Sequence, residues 1–402
     1  MSVEALPSPR PIVRRRSAVK KKKKQRSLFY RISAWLHLWL GLITGIVVVI
    51  VSITGAILVF EQELRVWLQP YQTVEGHGKA YLPPSRLKKV AMQQFKLPTV
   101  SAVVYQGKNR SAVVPYYGDP KRYQLIYIDP YTGKVLQSVM LKNDFYRIVL
   151  EGHYNLWLPR EYGRPIVSYS TLIFIITLIT GLVLWWPKKW TKNTRDRSFK
   201  IKLSGNTKRI NYDSHNVLGF YTLSIALILG LTGMVYGMQW FSDAVYFTAS
   251  GGTKTKHFAF EKPKVKGKDK SNGNGRKAIK PQDINTTGEE DKLFNDLVSS
   301  KTDIYWQVLT FGYPFGKKGP WTVSLAPEIG RRVGEKSTFY EQFTLKKLSK
   351  APENGGDKFM RLNYDLHVGS VGGFFTKILA FLTCIICASL PITGFFIWWV
   401  KK

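Results

Sequence analysis

Thr180-Gly-Leu-Val-Leu-Trp-Trp-Pro-Lys-Lys189 and Thr393-Gly-Phe-Phe-Ile-Trp-Trp-Val-Lys-Lys402 are one pattern written twice: Thr-Gly, three apolar residues, Trp-Trp, one residue, Lys-Lys. Indole rings followed by cations mark the end of an apolar helix where a bilayer meets water. Upstream of each pattern runs a stretch of about 20 apolar residues, enough to cross a ~30 Å hydrocarbon core. Four such spans can be read, near Ile32–Phe60, Ile166–Trp186, Val217–Phe241 and Phe374–Val400. The chain has 402 residues and a formal charge of +34. That charge does not imply nucleic acid, because much of it flanks the apolar runs. The N-terminal tail, the loop Lys188–Arg209 and the C-terminal lysines are short and basic, so the positive-inside rule puts all three in the cytosol. Two long loops then lie outside.

The expected division is a basic cytosolic tail at 1–26, helices at 27–61, 165–187, 211–241 and 366–402, and a basic cytosolic loop at 188–210. External domains are expected at 62–164 and 281–365, with a flexible Lys/Gly-rich linker at 242–280. The apolar run after the tail is too long for a cleaved signal peptide, and no small-residue cleavage site closes it. The two cysteines, Cys384 and Cys387, lie mid-span and read as small packing residues.

Further pieces repeat. Asn211-Tyr-Asp-Ser-His215 recurs as Asn363-Tyr-Asp-Leu-His367. His37 precedes Thr54-Gly55 by 17 residues, and His215 precedes Thr232-Gly233 by the same 17. His153 and His367 precede their Thr-Gly pairs by 27 and 26. The reading is an all-α membrane bundle in two tandem parallel repeats, each helix, external α+β domain, helix, about an axis along the membrane normal. Arg31, Arg147, Arg209 and Arg361 each stand six residues before one of the four histidines.

Ionisable groups at membrane depth are functional candidates. His37 and His215 fall at the cytosolic ends of their helices, and His153 and His367 on the outer side, giving two same-side pairs. Neutral imidazole pairs suit haem iron. The arginines, roughly 9 Å nearer water, suit propionates. Gly41, Gly45, Gly219, Gly369, Gly372 and Gly373 are read as admitting the macrocycle. Glu151, Asp213 and Asp365, two residues from histidines, are read as orienting the rings. No Cys-x-x-Cys-His motif is present, so the cofactor expected is two non-covalent haem b groups. Zinc or copper could use the same ligands, and a metal transporter is a third possibility.

In the loops, Thr99–Pro115 and Tyr123–Val139 read as strands, the second a hairpin turning at Asp129-Pro-Tyr-Thr-Gly133. Trp321–Leu325 and Thr338–Leu345 are the strand candidates of the second loop.

The segments His37-Leu-Trp-Leu-Gly-Leu, Glu151-Gly-His-Tyr-Asn-Leu-Trp, Asp213-Ser-His-Asn-Val-Leu-Gly and Asp365-Leu-His-Val-Gly resemble the PepSY-associated transmembrane-helix family of iron-regulated membrane proteins. Tyr127–Leu136 is similar to the closing hairpin of a PepSY domain, and Phe339–Leu348 to a degraded copy without Pro and Gly. The resemblance implies PepSY-like external domains and a bacterial inner-membrane, haem-dependent oxidoreductase that reduces ferric siderophores in the periplasm. It carries His37, His153, His215 and His367 as haem ligands. The electron donor would be a quinol or a cytosolic flavoprotein. A non-enzymatic sensor that binds a partner through the external domains is the alternative.

Overall fold

The computed structural model describes residues 26–76, 80–253, 289–300, 307–314, 319–349 and 352–400. The basic tail, except Arg26, and the lysine-rich stretch Lys254–Lys280 lie outside these residues.

Four helices are long and apolar enough to cross a membrane: α1 (Leu28–Val59), α5 (Arg160–Trp185), α7 (Thr207–Gly237) and α11 (Phe374–Trp399). Here α2 (Glu61–Leu68), α3 (Pro84–Phe95) and α4 (Phe145–Asn155) precede α5. Next, α6 (Lys192–Phe199) lies between α5 and α7; α8 (Gln239–Ala249), α9 (Glu289–Ser300) and α10 (Gly355–His367) lie between α7 and α11. The last span opens at Phe374, not at 366, because Gly369 and Gly373 turn the chain after α10 with positive φ. Likewise α8 occupies part of the segment expected to be linker.

The spans form a ring: α1 packs on α5 and α11, and α7 packs on the same two, so α1 and α7 face each other across a diagonal. Large aliphatic side chains such as Ile43, Ile46, Ile179 and Leu382 point outward, while Ser33, Thr44, Thr54, Thr180, Thr222, Thr232 and Thr383 are buried. Lipid tails are as apolar as leucine, so helices gain little by burying leucine against one another and gain more from close approach of small residues. Thr44 and Thr222 donate to carbonyls four residues back at 2.9 and 2.8 Å, which satisfies their hydroxyls inside the bundle. At Gly45 a Cβ would meet Pro391 at 3.2 Å, so this glycine seats α1 on α11. A Cβ at Gly41 or Gly219 would likewise meet a neighbouring helix. These three glycines lie at close helix seams.

The two long loops do not fold into two domains. They build one antiparallel eight-stranded sheet from β1 (Ala102–Tyr105), β2 (Ala112–Tyr116), β3 (Gln124–Ile128), β4 (Val135–Met140), β5 (Val308–Gly312), β6 (Trp321–Ala326), β7 (Lys336–Tyr340) and β8 (Lys347–Leu348), in the order β4-β3-β2-β1-β5-β6-β7-β8. The join is β1 to β5, in register Ala102↔Gly312 to Tyr105↔Leu309. Each loop alone would leave an unpaired apolar edge strand, which is open to mispairing; pairing the edges closes both. One core runs under the join, from Leu87, Val103 and Ile126 to Leu309, Phe311 and Trp321. α3 and α9 clasp beside it: Ser85 gives its N–H and hydroxyl to Asp291 at 3.2 and 2.6 Å.

The second hairpin keeps the first one's turn. Asp129 accepts from Tyr131 N at 2.9 Å and Thr132 Oγ1 at 2.6 Å, and Gly133 N returns to Asp129 O. Glu341 accepts from Phe343 N at 2.9 Å and Thr344 Oγ1 at 2.8 Å, and Leu345 N returns to Glu341 O. Leu345 takes the left-handed place of Gly133, with φ 53° against 77°. So β7 stops at Tyr340, and Thr338–Leu345 is strand followed by turn.

Candidate site: two histidine pairs on Thr-Gly seats

All four histidines meet in pairs. His37 on α1 and His215 on α7 have ring centres 6.1 Å apart with planes at 86°. His153 on α4 and His367 on α10 also stand 6.1 Å apart, at 55°. The first pair lies at the end of the bundle that carries the basic loop, the second at the end that carries the sheet.

Every histidine rests on a Thr-Gly step of a neighbouring helix, a role the sequence reading did not give that step. A Cβ at Gly181 would come within 3.0 Å of His37 Cε1. Gly55 stands so to His153 at 3.1 Å, Gly233 to His367 at 3.1 Å and Gly394 to His215 at 3.2 Å. Glycine is therefore what lets the imidazole lie flat against the helix backbone. The adjacent threonine faces Nδ1: Thr54 Oγ1 to His153 at 3.1 Å, Thr180 to His37 at 3.4 Å, Thr232 to His367 at 3.1 Å and Thr393 to His215 at 2.9 Å. The hydroxyls are committed as donors to carbonyls of their own helices, at 2.7, 3.0, 2.7 and 3.0 Å. They can only accept from the rings. The carbonyls of Val51, Thr177 and Leu229, each three residues before its threonine, meet the same Nδ1 at 3.0, 3.0 and 3.2 Å. The proton is thus fixed on Nδ1, and the lone pair is on Nε2. Among the described residues no hydrogen bond reaches Nε2 of any of the four.

The rest of the repeated Asn-Tyr-Asp-x-His motif locks the seat from other sides. Asn211 Nδ2 donates to Thr393 O at 3.1 Å, and Asn363 Nδ2 to Thr232 O at 3.3 Å. The aspartates do not touch the rings. Asp213, fully buried, accepts from Lys202 N at 3.2 Å and Arg209 Nε at 2.7 Å. Asp365, equally buried, accepts from Arg332 N at 2.8 Å and Val333 N at 2.9 Å in the β6–β7 loop. Glu151 pairs with Arg147 at 3.2 Å. On a helix, residues two apart point about 200° away from each other, so a carboxylate there faces away from the ring.

Of the arginines, Arg209 holds Asp213, Arg147 holds Glu151 and Arg361 pairs with Glu353; Arg31 is exposed. His153 sits on the short helix that folds back over the bundle. Asp144 caps that helix through Arg147 N and binds Arg65 through both oxygens at 2.9 and 2.5 Å. Among the described residues no three His, Cys, Asp or Glu side chains converge as a metal cluster. Cys387 packs in a small apolar cluster with Leu178 and Ala226, as expected of a packing residue.

Fold and site together define a membrane protein with four apolar helices, one antiparallel sheet and two half-buried histidine pairs. The chain belongs to the family described as PepSY-associated TM region, which it matches over residues 34–401. A search of curated proteins returns no match.

Proposed function

We propose that this chain carries electrons across a bacterial inner membrane and reduces ferric chelates, ferric siderophores among them, on the periplasmic face, releasing Fe(II). In this reading the chain is a tandem duplication with PepSY-like external halves, termini and basic loop cytosolic, and one haem b between each histidine pair. The observation that carries it is the pair geometry. Two imidazoles on opposite sides of one iron, at about 2 Å metal–nitrogen distance, hold their ring centres about 6.2 Å apart. Both pairs stand at 6.1 Å. Both expose Nε2 and anchor Nδ1, the arrangement that orients a ligating imidazole and raises its basicity. Two ligands per site, with no third His, Cys, Asp or Glu converging on them among the described residues, suit a macrocycle that supplies the remaining four donors better than they suit zinc.

Bound there, held by His37 and His215 in one pair and by His153 and His367 in the other, haem would supply one-electron iron chemistry. The protein's own part is placement. α1 bears His37 and, 17 residues on, the seat of His153, so the pairs lie roughly 26 Å apart along one helix and bridge most of a ~30 Å apolar core. The four rings are half-buried among the helices. At the outer end, Asp365 and Asp144 tie the two ligand-bearing helices to the sheet domain and to α2. Arg31 is exposed, and the other three would exchange carboxylates for propionates. Proteoliposomes holding reductant inside and a ferric chelate outside test the function: Fe(II) forms outside only with the haem-loaded chain, and His367→Ala stops it. Equal Fe(II) release from His367→Ala liposomes sinks the reading.

A further inference from the structure

The loop between α5 and α7 is more than a positively charged anchor. Between Lys188 and Arg209 it carries nine Lys or Arg and one acid, Asp196. A run of that kind is ordinarily a solvated tether at the headgroups. This one is folded and held at three points. Thr191 and Thr194 close a reciprocal capping box at the start of α6. Buried Trp185 stacks on Phe220 at 3.7 Å and donates its indole N–H to Ser198 O at 3.1 Å. Lys202 N is held by Asp213, two residues from His215.

The composition of α6 says which way it faces. An interfacial helix needs an apolar face to sink among the headgroups. Phe199 is the only large apolar residue of α6, and it is turned onto Trp185 and Phe220 at 5.3 and 5.4 Å. Lys192, Arg195 and Arg197 are exposed. Beside them Leu203 is 78% exposed and Trp190 46% exposed, apolar spots among the cations. Charge that steers an encounter, around a small apolar contact, is the design of brief electron-transfer interfaces.

We propose that this loop is the docking surface for a water-soluble electron-donor protein with an acidic face, carrying a reduced flavin or iron–sulfur group; the proposal rests on the electron-conduit reading. Each encounter moves one electron. The donor's group would be oxidised by one, a haem held by His37 and His215 would be reduced by one, and no bond to the chain forms or breaks. Any proton the donor loses goes to the surrounding water. The surface is fixed to the acceptor from both sides, through Asp213 beside His215 and through Trp185, four residues after the glycine that seats His37.

The test uses the full chain in nanodiscs and flavodoxin, a small acidic flavin protein, as probe. Parent and a Lys192→Glu, Arg195→Glu, Arg197→Glu triple variant are compared by stopped-flow haem reduction. Flavodoxin affinity is measured in parallel on haem-free and haem-loaded chains. The parent rate should fall steeply with salt, and the variant should be at least ~10-fold slower and bind at least ~10-fold more weakly. Its haem content, spectrum and reduction by dithionite should match the parent. Equal rates and affinities in the two proteins, or salt-independent reduction, overturn the docking surface and leave a membrane quinol as donor. A chain that carries no haem defeats the conduit reading, while the affinity arm still decides the surface.

Discussion

His37 lies so close on α5 that a Cβ at Gly181 would come within 3.0 Å of its Cε1. The equivalent contact at the other end is Gly233 to His367, at 3.1 Å. A methyl at either place pushes one imidazole off its seat and leaves the other pair alone. Gly181→Ala should weaken retention of the inner haem ~10–100-fold, the usual cost of disturbing what supports a ligand. Gly233→Ala should do the same to the outer one. Absorption and electron paramagnetic resonance spectra of the two variants check it. The same component lost from both variants would contradict the pairing.

Asp365 closes the β6–β7 loop onto the helix that ends at His367, accepting two successive backbone N–H groups. Asp365→Ala orphans both donors and should cost about 2–3 kcal/mol. Hydrogen exchange at residues 331–334 should quicken more than exchange in β1–β3. Unchanged protection there would show that the clamp holds nothing.

The bidentate pair of Arg65 with Asp144 is nearly buried, and Arg65 also lies 4.5 Å over the Tyr146 ring. Removing Asp144 leaves Arg65 with its remaining bond to Glu61 at 2.8 Å. Asp144→Ala should therefore destabilise by about 2–3 kcal/mol and also uncap α4, loosening a haem that His153 would hold. Thermal unfolding and the outer haem signal should shift together. A normal signal in a variant of lowered Tm would separate the cap from the site.

Leu345 occupies a left-handed position at φ 53° that glycine holds in the first hairpin. Leu345→Gly should stabilise the sheet domain by about 0.5–1 kcal/mol, since the Cβ strain there exceeds the added chain entropy. In the same turn, hydrogen bonds from Thr344 and Phe343 hold the Glu341 carboxyl below its ordinary range. The folded value is the lower one, so this contribution is complete above the ordinary carboxylate range and fades as pH falls through the lowered value. Denaturation curves across acid pH should lose that dependence in Glu341→Gln. A destabilised Leu345→Gly would refute the strain.

The spans were legible because apolar length and Trp-Trp ends report directly on bilayer thickness. The pairing of histidines was legible because His37 and His215 stand at one depth and His153 and His367 at the other. The single sheet was not. Val103 and Tyr105 read as strand, but nothing local says that their partners are Phe311 and Leu309, some two hundred residues away. The carboxylates beside the histidines read in sequence as partners of the rings, although two residues along a helix turns a side chain away. Thr-Gly was legible as a repeat mark only. An imidazole packed flat on a helix needs an acceptor for Nδ1 and room beside it, and a Thr-Gly step of a neighbouring helix supplies both to each histidine.

The central claim, one haem between each histidine pair, is tested most directly by a pyridine haemochrome assay on the purified full chain, made with ample haem supply. It is run beside His215→Ala and His367→Ala. The account predicts two b-type haems per chain in the parent, extractable into acidic organic solvent, and one in each variant, with different spectra remaining. A folded parent without haem, or two variants that lose the same single haem, would contradict it.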